Sequence, residues 1–183
     1  PLAGMYATYM LPNCHENDKE RLSQVCEAVK RIFASTFFQE PKTLMENIEH
    51  RHEEEKMAVI IMELVGQKHG NYFYPTFSGV AQSYNYYPVS YMQREEGIAF
   101  TALGLGRTIV EGGQALRFSP RYPNILPQFY SVKSTIVNSQ HTFYALNLNN
   151  GENPLRDGEQ KNLEQLHLEN AEEHGILKHI ASV

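Results

Sequence analysis

The chain contains no tryptophan and only two cysteines in 183 residues. Cys14 and Cys26 have neither a metal-ligand nor a redox spacing, so a zinc ribbon or a disulfide framework does not organise this fold. The pair reads as free thiols. No apolar stretch reaches about 18 residues, the length needed for a membrane-spanning helix. No signal peptide opens the sequence. Positive charge is scarce: 16 Lys and Arg stand against 21 Asp and Glu, a net charge of −5. A nucleic-acid footprint needs a clustered basic face, and none is present. Internal repeats and low-complexity tracts are missing as well. These absences leave a globular, cytoplasmic protein with neither nucleic acid nor membrane among its partners. The hydrophobic fraction of 42% is enough for a real core in one domain of ordinary size.

The termini read as cut points. The sequence starts Pro1-Leu2-Ala3-Gly4, without methionine, and stops inside an element at Ile180-Ala181-Ser182-Val183. The expectation is an excised piece of a longer chain.

Helical signals come first. Asn17 followed by Glu20 has capping-box spacing. Leu22, Val25, Cys26, Val29, Ile32 and Phe33 recur at helical spacing and predict one buried face. A second helix is expected after Pro41, carrying Leu44, Met45 and Ile48. The mixed charge run Glu49 to Lys56 reads as a solvated helix face. It contains His50 and His52, whose spacing puts the rings on different sides of a helix rather than on one metal.

Strand signals follow. Met57 to Met62 is continuously apolar and predicts a central buried strand ended by Gly66. Tyr72 to Tyr87 is rich in aromatics and predicts one or two strands with a bulge or turn near Ser78-Gly79. Its rings read as core or sheet-capping residues rather than a base-stacking platform. Further strands are expected at 98–103, 115–118, 142–148 and 163–168. A short helix is expected from about Thr108, a proline-rich loop at 121–128, a polar loop at 149–161 and a helix at 171–180. His167, His174 and His179 read as surface residues. Helices first and strands after predict an α+β fold, with N-terminal helices followed by a mixed or antiparallel sheet.

The most informative stretch is Gly104-Leu105-Gly106-Arg107-Thr108-Ile109-Val110-Glu111-Gly112-Gly113. It leaves the apolar run Ile98 to Leu103. A strand entering a Gly-x-Gly turn lets backbone amides approach an anion, because glycine has no Cβ to block them. That geometry suits phosphate, and it equally serves as a plain tight turn.

Three segments, in order, resemble the nucleotide-binding domain of phosphoenolpyruvate synthase and pyruvate phosphate dikinase. Leu2 to Asn13 resembles that family's "F-A-G-x-Y-x-T-x-L-x-N". Ala58-Val59-Ile60-Ile61-Met62-Glu63-Leu64-Val65 resembles "A-V-V-V-Q-x-M-V", with "S-G-V-A" following at Ser78-Gly79-Val80-Ala81. Gly104 to Gly112 resembles "G-L-G-E-x-V-V-x-G". The resemblance covers residues 1–150 and implies the central part of a partial ATP-grasp-type domain. Residues 151–183 then form a C-terminal loop with a strand and helix of the same domain, or the start of the next segment.

The resemblance implies a reaction and a site. The parent protein would phosphorylate, from ATP, a histidine on a separate domain, and the phosphohistidine would then serve pyruvate and phosphoenolpyruvate chemistry. Glu63, Leu64 and Val65 would present adenine-recognising backbone groups. Gly104 and Gly106 would approach the phosphates. The family places a magnesium-binding carboxylate at the position of Arg107. Arginine cannot ligate a hard cation. Three readings follow. Glu111 and Gln114 supply oxygen ligands to Mg from a shifted register. Arg107 and Arg117 grip phosphate directly. Or catalysis is lost and the module only binds nucleotide or regulates. Other cationic residues of the family lie upstream of the Ala-Gly segment, so this piece alone is expected to be inactive. Ser139-Gln140-His141-Thr142 faintly echoes the family's phosphohistidine segment but lacks its small residues. An unrelated α+β scaffold with accidental matches is the remaining alternative.

Overall fold

The computed structural model describes residues 6–38, 57–89, 91–150, 154–155 and 161–180. They fall into two compact units, Pro1–Leu64 with Asn147–Leu163, and Val65–Leu146 with Glu164–Val183. The expected helix after Pro41, the charged run and the Leu2–Gly4 part of the first motif lie outside the described residues.

The first unit is built on α1, Asp18–Ser35. Asn17 stands before it in extended conformation, and its side chain accepts from the Lys19 N–H at 2.9 Å. The helix therefore starts where a side-chain cap can satisfy an orphan amide. The expected buried face is a correction. Leu22 and Phe33 are exposed, as is Cys26, and the buried residues are Gln24, Ala28 and Ser35. At roughly 3.6 residues per turn these three lie about a third of a turn round the cylinder from the centre of the apolar stripe, whose nearer residues Val25, Val29 and Ile32 are half-buried. Hydrogen bonding selects that side. The Ala7 N–H donates to Ser35 Oγ at 3.1 Å, and the hydroxyl donates onward to the Ile32 carbonyl at 2.6 Å. Nearby chain is fastened the same way: Asn162, 1% exposed, donates from Nδ2 to the carbonyls of Met10 and Pro154, both at 2.9 Å. Cys14 and Cys26 are free thiols.

The expected central strand Met57 to Met62 is also a correction. No strand forms there, and Ile60, Ile61 and Met62 are 70–79% exposed. An apolar, β-branched run has strand propensity, but a strand exists only where a second backbone accepts its N–H groups.

The second unit contains two sheets. One has the order β1-β2-β6-β7, from Gln67–His69, Tyr72–Tyr74, Thr142–Asn147 and Leu163–His167. β1 and β2 are an antiparallel hairpin, with Gln67 opposite Tyr74 and Gly70 turning at φ 59°. The other sheet has the order β3-β4-β5, from Ser78–Gln82, Ile98–Ala102 and Leu116–Phe118, antiparallel throughout. Ser78 and Gly79 open β3 instead of forming a turn. A Cβ on Gly79 would stand 2.9 Å from the Phe100 carbonyl oxygen, so glycine lets the two backbones close. The aromatic stretch divides: Tyr74 is fully buried against Phe143, ring centroids 4.9 Å apart, whereas Phe77, Tyr86 and Tyr87 are exposed. The latter three are not core.

Among the described residues three short α-helices complete the second unit: α2, Arg107–Val110; α3, Val132–Asn138; and α4, Leu168–Glu173. α3 rises from the loop after the prolines and carries a Ser131–Ser134 capping box. The expected C-terminal helix is broken. α4 ends before Gly175, at φ 72°, and a 3-10 turn follows at Leu177–His179. Helices with antiparallel sheets make this an α+β fold, as the order of elements predicted.

Candidate functional site

The register of β3 against β4 pairs Ser78 with Ala102. The start of β3 therefore lies beside the strand end from which the glycine loop departs. The loop is held from both sides. The Leu103 N–H donates to Gln140 Oε1 at 2.8 Å, while Gln140 Nε2 donates to the carbonyls of Leu103 at 3.1 Å and Thr142 at 2.9 Å. The Leu105 N–H donates to the Tyr144 carbonyl at 2.9 Å. Leu103 and Leu105 are both 4% exposed. Apolar side chains thus plug the loop into the unit while its polar groups are pinned to β6.

The two glycines have different reasons to be glycine. Gly104 sits at φ 80°, and a Cβ there would meet Phe143 Cδ2 and the Tyr144 carbonyl oxygen, each at 2.7 Å. Its need is internal: left-handed backbone and close approach to β6. Gly106 has φ −63° and ψ −2°, and a Cβ would meet nothing nearer than Ser78 Oγ at 3.8 Å. Backbone conformation and packing leave Gly106 replaceable. Ser78 Oγ, beside it, is buried and has no hydrogen-bond partner. A buried hydroxyl left unpaired costs about 1–3 kcal/mol, so it asks for an explanation. In the sequence Ser78 reads as part of a strand motif and as a bulge or turn position, not as a site residue. Its role was hidden because pairing with Ala102 is a tertiary event.

Arg107 opens α2 with its side chain 18% exposed. Its guanidinium lies over the Tyr144 ring, 4.9 Å from Cζ to the centroid, and Nε donates to Glu111 Oε1 at 2.7 Å. Glu111 is one helical turn along, the spacing at which oppositely charged side chains meet. Gln114 donates from Nε2 to the Val137 carbonyl at 2.7 Å. Arg117 lies on β5 opposite Phe100, and its N–H donates to Gln128 Oε1 at 2.9 Å. Among the described residues its side chain has no hydrogen bond or ion pair. Glu63, Leu64 and Val65 span the boundary between the two units, with Val65 83% exposed. They carry no strand.

The fold therefore brings Gly104, Gly106, Arg107 and Glu111 together with Ser78, while Gln114 turns to α3. The residues present do not fit a magnesium ion well. Glu111 is engaged by a permanent cation, and Gln114, turned to α3 by its Nε2, has only its Oε1 left to offer. Among the described residues no group of three or more His, Cys, Asp or Glu could hold a metal. His141 is used structurally, its Nε2 lying 2.9 Å from the Ile136 carbonyl oxygen.

A second cluster escaped the sequence. His174 is half-buried, not a surface residue, and its Nδ1 lies 2.8 Å from Tyr74 Oη. His69 stacks on it with centroids 5.4 Å apart.

A protein-family model described as the AMP/ATP-binding domain of pyruvate phosphate dikinase matches residues 1–181. The chain belongs to this family. No curated protein and no solved structure matches it. An ATP-binding role follows from the family. No helix among the described residues is long and apolar enough to cross a membrane.

Proposed function

We propose that the chain is the ATP-binding portion of a cytoplasmic phosphotransferase of the phosphoenolpyruvate synthase and pyruvate phosphate dikinase kind, on a partial ATP-grasp-type fold. Its parent would pass a phosphoryl group from ATP to a histidine on another domain, and from there to pyruvate. Residues 1–150 supply the central part of the nucleotide-binding domain, and 151–183 its continuation. Gly104 and Gly106 admit the phosphates. Arg107 and Arg117 donate to them. Glu63, Leu64 and Val65 recognise adenine through backbone groups. Magnesium on Glu111 and Gln114 would have to sit beside the Arg107 guanidinium and take the Oε1 that Gln114 keeps free while its Nε2 donates to Val137.

One observation carries this reading: the buried, partnerless Ser78 hydroxyl stands against Gly106, a glycine for which neither backbone nor packing gives a reason. The hydroxyl is enclosed in this conformation, so a phosphate oxygen would accept from it only once the chain over Gly106 had shifted, and a Cβ at Gly106 would crowd that approach.

Arg107 in the place of the family's carboxylate favours a second reading, a binding or regulatory module without catalysis. Both readings require nucleotide binding. The test is the thermal midpoint of the chain with and without millimolar ATP, in buffers with and without magnesium. Binding at one hundred times Kd stabilises by about 2.7 kcal/mol, a shift of several degrees. No shift in any buffer overturns both. The Arg107→Glu substitution in the full-length parent then separates them: phosphotransfer gained or raised favours the module reading for the present chain.

A further inference from the structure

We propose that the Gly104–Arg107 loop grips nucleotide phosphates without a divalent cation, the Arg107 guanidinium standing where a metal ion would otherwise neutralise charge. The inference rests on the nucleotide-binding reading above and adds its ionic requirement.

The geometry of one side chain leads to it. A guanidinium has five N–H donors in a rigid plane and never gives up its charge. Arg107 Cζ lies over the Tyr144 ring, 4.9 Å from its centroid, and the Nε–H donates to Glu111 Oε1 at 2.7 Å. The four N–H groups on the two Nη atoms have no partner among the described residues. A guanidinium fixed on its Nε side and set over an aromatic ring, with its outer fork unpaired, is prepared for bidentate contact with a phosphate. Ser78 Oγ beside the same loop is also unpaired, but it is enclosed and is no part of the open fork.

Glu111 does not cancel the grip. Its side chain is 50% exposed, so water screens its charge, whereas Arg107 is 18% exposed. A phosphate arriving at the outer fork leaves the Nε bond intact. Glu111 is thus a positioning residue, fixing the direction in which the fork points. The same pair opposes a metal. A divalent ion on the Glu111 carboxylate would stand within a few ångströms of a permanent positive charge. Magnesium also demands near-octahedral oxygen ligation, and Gln114, with its Nε2 on Val137, offers one amide oxygen at most.

The experiment is calorimetric titration of the 183-residue chain with ATP, once in excess EDTA and once in excess magnesium. It is repeated with Arg107→Lys and Glu111→Gln, each first shown by its thermal midpoint to be folded. The expected result is an affinity in EDTA within about threefold of that in magnesium. Arg107→Lys, which keeps charge and loses the fork, should weaken binding about tenfold in both buffers. Glu111→Gln should weaken it equally in both, because it loosens Arg107 rather than a metal. Binding that needs magnesium overturns the inference and leaves the ATP-binding reading standing. So does a loss from Glu111→Gln confined to the magnesium buffer, which would make Glu111 a ligand. Absence of binding in both buffers overturns the inference together with the reading it rests on.

Discussion

Tyr74 Oη lies 2.8 Å from His174 Nδ1, joining a fully buried strand residue to the residue that ends α4, one hundred positions later. His69 completes the cluster, tilted against Tyr74 at 4.5 Å and stacked on His174 at 5.4 Å. Tyr72 contributes a hydroxyl that donates to Glu164 at 3.2 Å. The C-terminal element is therefore tied to the first sheet by polar rings rather than by apolar area alone.

Stability should accordingly depend on pH at both ends. Burial, helped by the neighbouring His174, lowers the His69 pKa below its usual 6.5. The unfolded chain then binds a proton more readily than the native one, so the contribution is complete above 6.5 and is lost as pH falls through the depressed value. Burial raises the Tyr74 hydroxyl to about 12 from its usual 10.0. That contribution is complete below 10.0 and lost as pH rises towards 12. Thermal midpoints across pH should fall on both limbs. His69→Gln should flatten the acid limb, and an unchanged acid limb in that variant would remove His69 from the explanation.

Gly104→Ala and Gly106→Ala should part stability from binding. At Gly104 a methyl would collide with Phe143 and with the Tyr144 carbonyl, on a backbone at φ 80°. We expect a loss of about 2–4 kcal/mol from strain and overpacking together, read by urea unfolding. At Gly106 the backbone is helical and the space open. There alanine should be neutral or stabilising by up to about 1 kcal/mol, while ATP affinity falls. Retained affinity in Gly106→Ala would dismiss the phosphate site at this loop.

Ile61→Ala discriminates the exposed segment from a central strand. Ile61 is 70% exposed, so the substitution should change stability by less than about 0.5 kcal/mol. A buried strand isoleucine would lose about 2–5 kcal/mol in the same denaturant measurement.

The sequence by itself determined the elements whose signals are local. Asn17 caps α1 because its side chain reaches an amide two residues on. The strands at Ile98–Ala102 and Thr142–Asn147 form where the apolar pattern put them. The Gly104–Gly106 turn and the α+β class could be read from order and spacing, and the family from the resemblance of three motifs. Tertiary structure decided everything that needs a partner. Leu22, Cys26 and Phe33 form an apolar stripe, yet α1 buries Gln24, Ala28 and Ser35, since the adjoining chain offers hydrogen bonds to that side. Met57 to Met62 has the composition of a strand and no ladder among the described residues. The resemblance offers Glu111 as a metal ligand in one of three readings, and folding sets it beside Arg107, one helical turn back. Ser78 meets Gly106, and His174 meets Tyr74, only through folding. A side chain's chemistry is written in the sequence, but the partner that decides between ligand, anchor and core is fixed by contacts distant in the chain.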